Sequence, residues 1–286
     1  MDCKNDEQRL IAAAVAGEKD ALEALLGSMQ DLVFNLSLRM LGTVPDAEDA
    51  TQEILLKVLT RLSQFRGESR FSTWVFRIAA NHLQTTRKGM FAQRPLSFDA
   101  YGEDILSGRE KDVPDLSAGV DRALLEQELK LSCTNVMLQC LDAESRCIYV
   151  LGTMFRLDSR VAAEILDLTP EAYRQRLSRI RAKVAEFLKG YCGLSGTGPC
   201  RCSRRVNYAI ASHRIDPADL AYRALTPCRY EELAAFRDAM EQLDAMSQIF
   251  AQLPVYRSPE RTAAWLRQLL ASKSFVAVKN GGEAVS

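Results

Sequence analysis

Apolar residues recur at helical spacing through almost the whole of this 286-residue chain, and no long stretch alternates as a strand would. A chain so patterned folds by packing helix on helix, so the expected fold class is all-α. Helix-breaking clusters divide it. The first block, residues 7–88, reads as four or five helices with breaks near Gly17, at Gly42-Thr43-Val44-Pro45 and at Arg66-Gly67-Glu68-Ser69. Residues 89–116 are dense in Gly, Pro, Ser and Asp and read as a linker. A second helical block spans 121–191, and Gly193 to Pro199 is a hinge. The third block contains at least two amphipathic helices, around 230–253 and 259–272. The expected organisation is two small helical domains, 1–94 and 121–191, an acidic linker 95–120 between them, and a helical C-terminal extension, 192–286.

The formal net charge is zero, but the charge is segregated. Residues 60–94 carry seven Lys and Arg against Glu68 alone, and residues 156–205 carry eleven against five acids. Between them, residues 95–145 hold four basic and eleven acidic residues. Two basic islands around an acidic spacer suggest two contacts with a polyanion. No run of about 18 apolar residues appears, and Met1-Asp2-Cys3-Lys4 lacks the layout of a secretion signal. The expected location is the cytoplasm, where the eight cysteines read as thiols or metal ligands rather than disulfides.

Ahead of the first island, Asp46 stands where a helix N-cap is expected. In the helix that follows, Ala47, Ala50, Thr51, Ile54, Val58 and Leu62 share one face. Asp49, Glu53, Leu56 and Thr60 share the other, with Asp46 and Gln52 beside it. A leucine pointing outward among acids suits a protein-binding surface, although a solvated face with one stray leucine has the same pattern. Next, Ser69 or Ser72 can cap a helix that turns Phe71, Trp74, Val75 and Ile78 inward. Arg77, Asn81, Gln84 and Lys88 then form one stripe, with Phe76 and Arg87 near it. Cations for phosphate, amides for base edges and an aromatic for stacking are what a reader of single-stranded DNA needs.

The succession Asp46-Ala-Glu-Asp-Ala-Thr-Gln-Glu-Ile54, Phe65-Arg-Gly67 and Phe71-Ser-Thr-Trp-Val-Phe-Arg-Ile-Ala-Ala-Asn81 resembles the promoter-melting domain of extracytoplasmic-function (ECF) bacterial sigma factors. That resemblance implies that Asp46, Asp49, Gln52, Glu53 and Leu56 bind the clamp helices of RNA polymerase. It implies that the loop with Phe65, Arg66 and Ser69, together with Asn81, holds a base flipped out of the minus-ten element, with Arg77, Gln84 and Lys88 along the same strand. Capturing an extruded base shifts the duplex towards its open form without chemistry by the protein.

In the second island, Asp158 can cap a short helix and Asp167-Leu168 makes a turn. Thr169 and Pro170 then supply the N-cap and first position of another helix. Tyr173, Leu177, Ile180, Val184 and Leu188 form its buried stripe, and six basic residues lie between Arg174 and Lys189. Two helices about a short turn, the second rich in Arg and amides, read as a helix-turn-helix. The arrangement resembles the minus-thirty-five-recognition domain of the same group. The resemblance places Arg174, Gln175 and Arg179 towards DNA bases and Arg176 and Arg181 towards phosphate, with Ser178 on the same DNA-facing side. Asp167 replaces a common Gly in the turn, and Glu171-Ala-Tyr173 replaces small residues, so the preferred promoter sequence is left open.

In the extension, Cys192, Cys200, Cys202, Cys228 and His213 carry ligands suited to zinc or copper(I). The basic setting of Cys200-Arg-Cys-Ser-Arg-Arg205 would lower a thiol pKa. Metal binding, redox switching and plain structural thiols all remain open. Cys133, Cys140 and Cys147 read as small core residues. Some ECF factors are regulated by such an extension in place of a separate anti-sigma protein, and either arrangement fits here. The expected partners are core polymerase and promoter DNA. A stand-alone helix-turn-helix regulator and a metal- or thiol-sensing transcription factor are the alternatives. No nucleophile–base set or phosphate loop points to an enzyme.

Overall fold

A computed structural model describes residues 3–86, 95–228 and 254–272. Helices α1 (Cys3–Val15), α2 (Lys19–Leu41), α3 (Val44–Arg61) and α4 (Phe71–Thr85) form the first bundle. α2 stops at Gly42, whose left-handed φ of 90° closes the helix. α3 then starts one turn earlier than the sequence suggests. Thr43, not Asp46, is its N-cap, and Pro45 occupies the first turn, where its fixed φ and missing N–H are tolerated. Asp46 instead closes the cap from the third position. Its N–H donates to Thr43 Oγ1 at 3.3 Å, and the Thr43 hydroxyl donates to Asp46 Oδ2 at 2.5 Å. Neither Ser69 nor Ser72 caps α4: Arg70 holds that position, and Ser72 is buried inside the helix.

Residues 95–120 are not a bare linker. Ser97 accepts from Ala100 N at 3.1 Å and caps α5 (Phe98–Leu106). Phe98, Tyr101 and Ile105 bury one face of it. Their spacing, i, i+3, i+7, is helical, but the Gly, Pro and Ser around them obscure it. The second module comprises α6 (Arg122–Leu138), α7 (Ala143–Tyr149), α8 (Ser159–Leu166) and α9 (Pro170–Tyr191). The stretch expected as one apolar helix from 145 to 155 widens after α7 into a π-turn at Val150–Met154. α5 packs on the end of α9, with Phe98 and Tyr101 at 5.0 and 5.5 Å from the Phe187 ring.

The extension continues with α10 (Cys202–Ala211), then β1 (Pro227–Cys228) paired antiparallel with β2 (Val255–Tyr256), and α11 (Glu260–Ala271). The helix expected at 230–253 lies outside the described residues; the one at 259–272 is α11. Among the described residues, no helix is long and apolar enough to cross a membrane.

One apolar core runs without a gap from the first bundle into the second module. The seam is α4 against α7 and α8, where Phe76 and Phe155 meet edge to face at 5.6 Å. Arg146 on α7 closes the seam behind it. Its guanidinium donates to Leu138 O at the end of α6, to Leu141 O in the turn after it and to Met40 O at the end of α2, at 2.9, 2.8 and 2.5 Å. Leu138 O and Met40 O are end-of-helix carbonyls, which also accept from Leu141 N and Gln139 Nε2.

Candidate functional site

The outward face of α3 read from the sequence is on the surface. Asp49, Glu53 and Leu56 are exposed, Leu56 at 42%, and Gln52 and Asp46 are half-buried. The opposite face, with Ala47, Ala50, Thr51, Ile54 and Val58, is core. Between α3 and α4 lies a cleft of about 380 Å³ lined by Asp46, Glu53, Lys57, His82 and neighbours. His82 of α4 finds its partners on another helix, α3. Lys57 Nζ approaches its Nδ1 at 2.5 Å, and Glu53 Oε2 stands 3.4 Å from its Nε2. His82 thereby ties the acidic face of α3 to α4.

The loop between α3 and α4 is built on an aromatic triad: Phe65 lies 5.5 Å from Phe71 and 5.4 Å from Trp74. Phe65 and Ser69 are half-buried and Arg66 is exposed, and Gly67 adopts a φ of 71° that favours glycine. On α4, Arg77 and Asn81 are exposed and Gln84 is half-buried; Lys88, like Arg87, lies outside the described residues. Phe76, expected near this stripe, is fully buried against Phe155. Part of the stripe faces the second module. Arg77 donates from Nε and Nη2 to Glu164 O on α8, at 3.1 and 2.7 Å, and its guanidinium stands 3.7 Å from the Glu164 carboxylate. The Gln84 side chain hydrogen-bonds the buried Cys147 thiol.

The helix-turn-helix is α8 and α9. Asp158 accepts from Arg160 N at 2.8 Å to start α8, and Asp167 ends it with φ 55°. Thr169 accepts from Ala172 N at 3.1 Å and Pro170 opens α9. Arg174, Gln175, Arg176, Ser178 and Arg179 are exposed along one side of α9. Arg174 Nη1 donates to Ser159 Oγ at 3.2 Å, which sets the second helix on the first, and Arg176 pairs with Glu144. Arg181 differs from them. It is half-buried and donates to Thr153 Oγ1 and Gly152 O at 3.1 and 2.8 Å, filling hydrogen-bond capacity at the π-turn.

The cysteines divide into groups. Cys140 and Cys147 are core, as expected. Cys228 lies in β1, and His213 sits in the exposed turn after α10 with φ 55°. Cys192, Cys200 and Cys202 are half-buried where α9 hands over to α10, and Cys133 of α6 comes to the same place. The basic surroundings do not lower these thiols. Burial pushes Cys200 up to about 12 and Cys202 to about 11, and Cys192 also above its ordinary value. Among the described residues, no three His, Cys, Asp or Glu side chains stand ready-made around a metal.

Comparison with known proteins converges on one family. A sigma-70 region 2 model matches residues 25–88, the stretch that holds the α3 face and the α4 stripe. The RNA polymerase sigma-H factor of Pseudomonas aeruginosa is 26% identical over 193 residues, covering 66% of this chain and 97% of that protein. The ECF RNA polymerase sigma-E factor of Haemophilus influenzae is 29% identical over 195 residues, with coverages of 62% and 93%. The solved structure of CnrH in complex with the cytosolic domain of CnrY is 22% identical. It covers 64% of this chain and 96% of that one, with a TM-score of 0.46. About two thirds of this chain thus spans nearly the whole of such relatives, and about a third is additional to them.

Proposed function

We propose that this chain, which belongs to the ECF group of bacterial sigma factors, carries core RNA polymerase to promoters and helps open them. The observation that carries this reading is the α3 face: Asp49, Glu53 and Leu56 exposed on a helix whose other side is core. An exposed leucine flanked by carboxylates gives a partner both an apolar anchor and electrostatic orientation. On this reading the Phe65–Ser69 loop and Asn81 hold an extruded minus-ten base. Arg174, Gln175 and Arg179 meet the minus-thirty-five element in the major groove, and the protein works in the cytoplasm. Run-off transcription with purified core polymerase tests it. An Asp49→Lys, Glu53→Lys double variant is expected to lose polymerase binding. Arg174→Ala is expected to keep it and lose upstream-element recognition. A double variant that binds polymerase as the parent does would overturn the reading.

A second reading concerns regulation, and the Arg77–Glu164 contact favours it. With α8 seated on α4, the strand-reading stripe and the helix-turn-helix face each other, so promoter engagement requires α8 to leave α4. The extension holds the seated form. Arg261 of α11 grips the buried Glu48 of α3, and Arg205 of α10 pairs with Asp104 of α5 at 2.6 Å and Glu110 at 3.4 Å. Here the chain's own extension does the work of an anti-sigma protein. A fluorescence-transfer pair on α4 and α8 is expected to separate when core polymerase binds; an unchanged distance would overturn this reading.

A further inference from the structure

We infer that α2 carries a recognition track for an extended peptide, and that residues 254–258 of the extension are an exchangeable ligand held on it in cis, a strap. The track is three side chains spaced by four, Asp31, Asn35 and Arg39. They meet the main chain of every second residue of the strap. Arg39 Nη2 donates to Pro254 O at 2.8 Å. Asn35 donates to Tyr256 O at 2.7 Å and accepts from Tyr256 N at 2.9 Å. Asp31 accepts from Ser258 N at 2.7 Å. Four residues of helix rise about 6 Å and two residues of strand about 6.7 Å. The two repeats therefore stay in step along the strap, which runs opposite to α2.

The other side of the strap is answered too. Arg257 N donates to Thr226 O at 2.8 Å, and Val255–Tyr256 pair with Pro227–Cys228 as a two-stranded ladder. The strap lies in a slot between a helix and a short strand edge, and main-chain bonds hold it there, as in strand addition.

Main-chain bonds leave the choice of occupant to three side chains. Tyr256 fills a pocket of Phe34, Leu38, Ala47, Tyr222 and Leu225 and is 2% exposed. Arg257 Nη1 donates to Asp31 Oδ2 at 2.9 Å, and Ser258 Oγ accepts from Gln30 Nε2 at 3.1 Å. The ligand so defined is an extended aromatic–basic–hydroxyl peptide. Asn35 and Arg39 are 1% and 2% exposed, and polar groups buried that deeply require partners. An emptied track would strand them, so the strap leaves by exchange with a peptide of the same chemistry.

Exchange reaches beyond the track. α11 follows the strap, and its Arg261 pairs with Glu48 of α3, next to Asp49. On the sigma-factor reading above, displacing the strap frees the flank of the polymerase-facing helix; the track itself stands without that reading.

The test uses the full chain and a fluorescent peptide of residues 253–260, with no polymerase present. In the parent, the tethered strap competes at high effective concentration. Tyr256→Ala removes its anchor, and that variant is expected to bind the peptide about tenfold tighter than the parent, or more. The same peptide methylated on the tyrosine nitrogen cannot donate to Asn35 and should lose that binding. Adding Asn35→Asp, which keeps the shape but sets an acceptor against Tyr256 O, should lose it too. Circular dichroism shows whether each variant folds. For any that does not, hydrogen exchange in the parent decides: excess isotope-labelled peptide should speed exchange several-fold at the chain's own Tyr256 and Ser258 amides. No binding by a folded Tyr256→Ala protein, equal binding by parent and variant, full binding of the methylated peptide, or unchanged exchange would overturn the inference. Because no polymerase is present, the outcome is independent of the sigma-factor reading.

Discussion

Arg39 on α2 donates to Asn135 Oδ1 on α6 at 3.1 Å across 96 residues of chain, and both side chains are buried. Around that bond the three parts of the molecule meet. Arg39 also donates to Pro254 O of the extension at 2.8 Å, and Asn135 donates to the Tyr222 hydroxyl. Beside it Asn35 reads the backbone of β2 twice, donating to Tyr256 O at 2.7 Å and accepting from Tyr256 N at 2.9 Å. Buried polar groups left without partners cost about 1–3 kcal/mol each. Arg39→Ala strands at least the Asn135 and Pro254 oxygens and opens a large cavity, so a loss of about 3 kcal/mol or more is expected. Urea unfolding monitored in the first bundle and in the extension should show both shifting together. An extension signal that stays put would disprove the coupling.

Gly152 sits in the π-turn directly beneath α9. A Cβ there would lie 2.5 Å from both Leu177 Cδ2 and the Tyr173 hydroxyl. Tyr173 is itself anchored, donating to Ile148 O at 3.2 Å. Gly152→Ala therefore has to push α9 outward, at a cost of about 1–3 kcal/mol typical of overpacking. Its melting temperature and its upstream-element affinity should fall together, and adding Leu177→Ala should restore part of the affinity.

Asp142 caps α7 by accepting from Ser145 N at 2.9 Å. Burial works to raise its carboxyl, but hydrogen bonds from the Ser145 N–H and hydroxyl and from Glu144 N outweigh it, and the folded value lies below the ordinary one. A depressed carboxyl stabilises the folded state above the unfolded pKa of about 3.9, and that contribution fades as pH falls through the folded value. Asp142→Ala should cost about 1 kcal/mol at pH 7, and the gap between variant and parent should narrow below about pH 4. Unfolding curves at both pH values check the sign.

The helices were legible because side chains declare them. Asp158, Thr169 with Pro170, and the Tyr173–Leu188 stripe all do in the structure what their spacing implies. The start of α3 was misread because two capping residues stand three apart, and only the Pro45 constraint decides between Thr43 and Asp46. α5 was hidden by flanking linker-type residues. The tie between extension and bundle could not be read at all, since Asn35 and Arg39 bind backbone atoms at Tyr256 and Pro254, which have no signature in a sequence. Cys133, read with Cys140 and Cys147 as a small core residue, is only half-buried, because the stretch that covers it lies some sixty residues away, where α9 passes to α10.

The Arg77–Glu164 contact separates a backbone latch from an ion pair. Both side chains are 44% exposed and the charges stand 3.7 Å apart, a pair worth about 0–1 kcal/mol in water. The shorter bonds, 2.7 and 3.1 Å, go to the Glu164 carbonyl, which every residue possesses. Glu164→Ala should therefore leave stability within about 0.5 kcal/mol and leave α8 seated on α4. Arg77→Ala removes the bonds as well as the charge. It should loosen the seam, raising hydrogen exchange in α8, while weakening binding to single-stranded minus-ten DNA. Equal exchange in the two variants would show that the apolar seam around Phe76 and Phe155, and not Arg77, keeps α8 on α4. In that case Phe155→Ala, costing about 3–5 kcal/mol as a buried aromatic truncation, becomes the substitution that releases them.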